Sequence, residues 1–230
     1  DQAQFTVPAR GDTAIDLGHP DLNRAFLHDT GPALRSSTVL LAEPGTRATF
    51  LSLRFLAAGL RAGERVLFLS TREDRDAIRR ICQREPVLRD VCLAADGKFA
   101  PDFRVVYLHP EFIAPGKFTW DLIRLCQGGH AEGEPQRITR IAFDNIFRLQ
   151  DRFPLITEQR FLIAAMLDMM RYEGVTPLLV DMVPPGQTRG RTDFDPSTYL
   201  VSFDNVVHLF FEPQATGTQP YFKVLKSVGN

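Results

Sequence analysis

Seven residues, Glu43-Pro44-Gly45-Thr46-Arg47-Ala48-Thr49, stand between a short apolar run, Thr38-Val39-Leu40-Leu41, and a stretch whose apolar residues recur at helical spacing. A loop in that place suits phosphate chemistry. Glycines let backbone N–H groups close around a phosphate, a lysine reaches its terminal oxygens, and a Ser or Thr hydroxyl holds magnesium, in the order G-x-x-x-x-G-K-[ST]. Aligned on Ala42–Thr49, this chain has Ala42 and Arg47 in place of the glycines, Ala48 in place of the lysine, and only Thr49 of the expected type. Arg47 is chemically competent to bind phosphate, yet its bulk stands where backbone should approach the anion, and Pro44 has no N–H to donate. Gly45, Thr46, Arg47 and Thr49 are the candidate phosphate contacts. Asp144 closes a later apolar run, Arg140-Ile141-Ala142-Phe143, where a magnesium-orienting carboxylate belongs. Thr49 and Asp144 are therefore the candidate magnesium pair, used only if a nucleotide binds.

The elements that position these residues follow from apolar periodicity. Thr38–Leu41, Val66–Leu69, Phe103–Leu108, Arg140–Phe143 and Pro177–Val180 read as buried strands. Between them lie helical patterns: Phe50, Leu53, Leu56, Ala57 and Leu60 before a stop at Gly63; Ala77, Ile78, Ile81 and Cys82; Trp120, Ile123, Leu125 and Cys126; and Phe161 to Met170 within a helix over 158–172. Such alternation predicts an α/β fold, a mainly parallel sheet with helices on both faces. Asn205–Phe211 and Tyr221–Leu225, joined by a glycine-containing turn, predict an antiparallel hairpin at the sheet edge. Residues 1–35, rich in Gly, Pro, Asp and Thr, read as linker and lead-in, and 184–197 as a Gly/Pro/Arg-rich loop.

Composition narrows the function classes. At 230 residues, 44% hydrophobic and 24% charged, the chain has material for one large core. Its 27 Lys and Arg against 28 Asp and Glu lack the basic excess that nucleic-acid binding usually requires, so nucleic acid is not an expected partner. Cys82, Cys92 and Cys126 have neither even number nor C-x-x-C spacing, which predicts buried thiols rather than disulfides or zinc. No apolar stretch is long enough for a membrane span and no leader pattern opens the chain, so a cytoplasmic location is expected. The sequence opens at Asp1 rather than Met, and a longer parent chain is the expectation.

Other chemistry-bearing residues have plainer readings. His109, with Glu111 nearby, reads as a loop histidine rather than a base; Arg189, Arg191 and Lys226 as solvated charge; Met166, Met169 and Met170 as core. No histidine spacing suggests a metal site, and no G-x-S-x-G elbow suggests a hydrolase. The segment Arg148–Leu155 mixes charged with large apolar side chains, and analogy with proteins that carry such a loop makes it the preferred subunit contact.

From Gly18 to Gly229 the chain resembles the KaiC-like branch of RecA-type P-loop ATPases. Gly18-His19-Pro20-Asp21-Leu22-Asn23 is similar to that family's entry motif G-I-P-G-L-D, Asp204-Asn205-Val206-Val207-His208-Leu209 to A-D-N-V-I-x-L, and Val224-Leu225-Lys226-Ser227-Val228-Gly229 to V-x-K-x-R-G. The resemblance implies a lead-in over 1–17 and one KaiC/RecA-like domain over 18–230. It places Arg72-Glu73 where two water-activating glutamates belong, which makes Glu73, with Asp144, the candidate catalytic residues. It makes Lys226 a contact to a neighbouring subunit's nucleotide, with Val228 replacing the accompanying arginine. A loop without its lysine, one glutamate of two and no trans-acting arginine together predict a pseudo-ATPase that regulates or oligomerises. No cofactor is expected. The expected partner is a second copy or a related KaiC/RecA-like ATPase. The alternative is an atypical ATP- and magnesium-binding enzyme that uses Arg47, Thr49, Glu73 and Asp144.

Overall fold

A computed structural model describes residues 13–26, 31–109, 114–127, 137–145, 159–184, 202–214 and 217–228. Seven strands form one sheet: β1 (Thr38–Ala42), β2 (Val66–Ser70), β3 (Phe103–Tyr107), β4 (Arg140–Asp144), β5 (Thr176–Met182), β6 (Asn205–Gln214) and β7 (Gly217–Ser227). Their spatial order is β3-β2-β4-β5-β1-β6-β7, with every pairing parallel except the terminal β6–β7 hairpin. The α/β class and the edge hairpin are as the sequence predicts.

Six helices are described: α1 (Pro20–Arg24), α2 (Ala48–Arg61), α3 (Arg75–Arg84), α4 (Pro86–Cys92), α5 (Pro115–Cys126) and α6 (Gln159–Tyr172). The period of two along each strand sends alternate side chains to opposite faces. Leu40, Phe68, Ala142 and Val180 meet α1 to α4 on one face, whereas Leu41, Leu69, Phe143 and Leu179 meet α5 and α6 on the other. Burial on both faces is why these strands read as unbroken apolar runs. Met166 and Met170 are buried on α6 and Met169 packs against them, as expected of core residues.

Several elements differ from the sequence reading. The described lead-in is not a linker: Ile15, Leu17, Leu22 and Phe26 lie in the core, and Ala14 bridges Ala33. Its turn-forming residues set bends without removing the apolar side chains between them. At Gly18, with φ +77°, a Cβ would stand 2.2 Å from the Arg54 carbonyl oxygen, so the glycine lets this segment lie against α2. Helix α4 is an additional element. Glu85 is held extended by the following proline, which ends α3, and Pro86 then starts a new helix at its first position. On α5 the core stripe is Phe118, Leu122 and Cys126, whereas Trp120 is 61% exposed. The segment Arg148–Leu155 and, apart from Pro184, the segment 184–197 lie outside the described residues.

All three cysteines are free and buried. Burial, with Glu173's charge, pushes the Cys126 thiol up to about 12, and a hydrogen bond to Cys82 together with burial raises Cys92. Neither Cys92 nor Cys126 is poised as a thiolate. No helix among the described residues is long and apolar enough to cross a membrane.

At the amino end of β4, Arg140 is 4% exposed and makes a bidentate pair with Glu64, Nη2 to Oε1 at 2.7 Å and Nε to Oε2 at 2.8 Å. Its Nη1 donates to the carbonyls of Asp16 (2.6 Å) and Phe55 (3.2 Å). One guanidinium thereby joins β4, α2, the α2–β2 turn and the lead-in. Gly59 makes room for it, since a Cβ there would lie 2.8 Å from Arg140 Cδ and Nε. Burial alone would raise the Glu64 pKa, but the hydrogen bond and charge of Arg140 and the Thr139 hydroxyl outweigh it and hold the carboxyl below its usual value. A depressed carboxylate contributes stability above its unfolded-state pKa, and this is lost as pH falls through the folded value. Replacing Arg140→Ala leaves Glu64 without its cation and is expected to lower the unfolding free energy by about 3 kcal/mol in urea titration at neutral pH. Glu64→Gln is expected to flatten the acid limb of wild-type stability; an unchanged limb would show that Glu64 is not the group responsible.

Candidate functional site

The carboxyl ends of the parallel strands set the geometry. Ala42 is in register with Met182 and Leu209, and Ser70 with Asp144 and Tyr107. Beyond Ala42 the ladder continues briefly, with Glu43 N donating to Leu209 O and Val183 N to Ala42 O. The chain then turns sharply. Both the amide and the hydroxyl of Thr46 donate to Glu43 O, at 3.2 and 2.7 Å. Gly45 has φ +88°, and a Cβ there would lie 3.5 Å from the ring of Phe211. Glu43, 3% exposed, accepts the amide of Phe211 at 3.3 Å, which ties the loop to β6.

Arg47 is the N-cap of α2 in the left-handed region, φ +63°, with no side-chain cap. This is a strained position for a non-glycine residue. Its guanidinium lies 4.2 Å from the Phe50 ring centroid and pairs with Glu85, so its charge points to the α3–α4 junction. Ala48, at the lysine position of the motif, is buried in the core. Thr49 Oγ1 donates to Asp144 Oδ2 at 3.0 Å. Asp144 is wholly buried, and its Oδ1 has no hydrogen-bond partner among the described residues.

Next to this pair, the β2–α3 turn brings in Arg72 and Glu73. Ser70 Oγ accepts from the amides of both, and Asp74 caps α3 by accepting from Ala77 N. Thr71 joins the turn to β4 by donating to the carbonyl of Asn145. Burial raises the Asp144 pKa; the Arg72 charge and the Thr49 hydroxyl oppose the rise, and Glu73 adds to it. The site thus combines a proton-favouring carboxyl with an exposed arginine and a second carboxylate.

Of the candidate residues, Thr49 and Asp144 are in direct contact, the charge of Glu73 reaches Asp144, and Gly45 and Thr46 lie in the turn that leads to Thr49. Arg47 is adjacent in the chain and is paired with Glu85. Lys226 is elsewhere: it pairs with Val206, level with the amino half of β1, and its Nζ donates to Phe203 O. Within one chain it cannot join the loop. His109 is exposed and meets Tyr107 edge to face at 4.8 Å. Glu111, Arg189 and Arg191 lie outside the described residues. Glu85 was not a sequence candidate, because its partner is 38 residues away and no local pattern links them. Among the described residues no group of three His, Cys, Asp or Glu is placed to hold a metal ion. Hard oxygens from Thr49 and Asp144 suit magnesium. The phosphate half does not fit, since Pro44 lacks a donor, Ala48 lacks a charge and Arg47 is engaged. Comparison with known families and with characterised proteins finds no match for this chain.

The raised Asp144 pKa has a definite sign for stability. The native state holds this proton more tightly than the unfolded chain, so stability falls as pH rises from the unfolded value through the folded one. Asp144→Asn is expected to raise the melting temperature at pH 7 and to lose that advantage near pH 3. Thermal melts at both pH values check this, and a variant less stable than wild type at pH 7 would contradict it.

Proposed function

We propose that this chain is a degenerate KaiC/RecA-like domain that does not hydrolyse nucleotide and acts by association, as a subunit of a homo-oligomer or as a regulatory partner of a related ATPase in the cytoplasm. The commitment of Arg47 to Glu85 carries this reading: the one cation in the loop is already paired with a carboxylate at the α3–α4 junction. Phosphoryl transfer depends on positive charge placed on the transferred group. Neither Ala48 nor Arg47 supplies it here. The strand order supports descent from a phosphate-loop fold, because β5 lies between β1, which leads into the loop, and β4, which ends in the carboxylate. Lys226, at the other edge of the sheet, has the role implied by the resemblance only if a second copy is present.

The Thr49–Asp144 contact favours a second reading, an atypical ATPase using Arg47, Thr49, Glu73 and Asp144. Phosphate release by the pure protein with ATP and magnesium separates the two. No turnover is expected from the wild type, and turnover abolished in Asp144→Asn would replace the first reading by the second. Association is tested by light scattering behind size exclusion, alone and mixed with a KaiC-like ATPase. A strict monomer that forms no complex would remove the regulatory half of the proposal.

A further inference from the structure

Helix α5 buries Phe118, Leu122 and Cys126 in the core it shares with α6. On the opposite side of the helix, Lys117, Trp120 and Arg124 follow one another at spacings of three and four and form a single ridge, with Asp121 beside them. All four are exposed, and Trp120 is the most exposed large apolar side chain among the described residues. Tyr172, 48% exposed, ends the neighbouring helix α6, and Gln127 donates to Glu173 Oε1 at 3.1 Å, which holds these two helix ends together. A large aromatic ring on the side of a helix away from its own core is the kind of group on which interface energy concentrates. The charges around it complement themselves. Lys117 and Asp121 stand four apart with the cation first, the less favourable order for a pair within one helix. Among the described residues, no ion pair engages Lys117, Asp121 or Arg124. Asp121 repels a polyphosphate, and a chain with 27 basic and 28 acidic residues lacks the field to overcome that repulsion. A surface with both signs flanking one ring fits a protein of like pattern.

We propose that this ridge of α5 is the contact between two copies of the chain, their helices antiparallel about a two-fold axis with Trp120 near its centre. The inference rests on the reading of the chain as a subunit of a homo-oligomer, and it names the surface involved. A two-fold contact presents the same patch from both sides, so a residue a given distance before the axis meets the residue the same distance after it. With the axis level with Thr119, Lys117 of each copy stands level with Asp121 of the other, and both pairs form together. The two indoles are then about 3 Å apart along the helices, placed to lie side by side and exclude water. The charge pairs occupy the solvated rim and set the register.

Sedimentation equilibrium over a dilution series tests this, with circular dichroism confirming that each variant folds. Trp120 is the only tryptophan, so a blue shift of the emission as concentration rises reads the burial of that ring itself. Wild type is expected to dimerise with this shift, and Trp120→Ala to raise the dimer dissociation constant at least about tenfold. Asp121→Lys sets like charges opposite each other at both pairs and is expected to raise it about threefold or more. Lys117→Asp combined with Asp121→Lys is expected to restore the wild-type value. Val87→Ser, which removes an exposed apolar side chain from α4 on the other face of the sheet, is expected to change nothing. A dimer indifferent to Trp120→Ala, or one that the double exchange does not restore, overturns this contact and leaves the homo-oligomer reading standing. A monomer with unshifted emission at every concentration overturns both the contact and the homo-oligomer reading, and association with a related ATPase would then be the part of the proposed function still standing.

Discussion

Helix α2 is held along β4 by buried polar contacts at both ends, and the candidate site depends on this arrangement. At the amino end of the strand, Arg140 binds the Phe55 carbonyl of the helix and the Glu64 carboxylate of the turn that follows it. At the carboxyl end, Asp144 accepts the Thr49 hydroxyl in the first helical turn. Five residues of strand rise about 13 Å between end Cα atoms, close to the roughly 15 Å along the helix from Thr49 to Gly59, the residue that packs directly against the Arg140 side chain. The two contacts therefore share one rigid pairing. The lead-in adds a third restraint through Asp16 O and the close approach of Gly18 to Arg54.

This clamp holds α2 over the sheet without any contribution from charges in the β1–α2 loop. The Thr49–Asp144 contact orients α2 over the sheet whether or not an anion binds, so it has a structural role independent of catalysis. The Arg140–Glu64 pair is likewise structural, and its geometry requires Gly59 rather than any feature of the loop. By contrast, the positions that would touch phosphate, Pro44, Arg47 and Ala48, contribute little to this clamp. They are free to diverge while the scaffold stays fixed. Ala48 is part of the core, and Arg47 has a partner on a neighbouring element.

The amino edge of the sheet has its own buried network, distinct from the loop. Asp204 accepts from Ser37 and from Arg171, and Asn205 donates to Ser36 and Thr38. Lys226 joins the same region through Phe203 O. The segment from Asp204 to Leu209 thus has a sufficient local explanation in strand registration, since it anchors β6 against the start of β1. Likeness to a motif there needs no chemical role to account for it.

Periodicity made the strands, their parallel arrangement and the closing hairpin legible in the sequence, because a strand buried on both faces needs an apolar run and a parallel neighbour needs a crossover helix. Thr49 and Asp144 were legible for the same reason, each lying at the end of a recognisable strand or the start of a helix. Composition misread the lead-in, where glycine and proline mark turns but Ile15, Leu17 and Leu22 still reach the core. The amino-acid sequence by itself thus determined the α/β class and that the loop has neither the lysine nor the glycines of a phosphate loop at the matching positions. Tertiary structure decided where the remaining charges go: Arg47 to Glu85, Asp144 into a buried setting that favours its proton, and Lys226 to the far edge. Those outcomes depend on contacts between residues distant in the chain, and local sequence patterns do not encode which distant partner a charged side chain will meet.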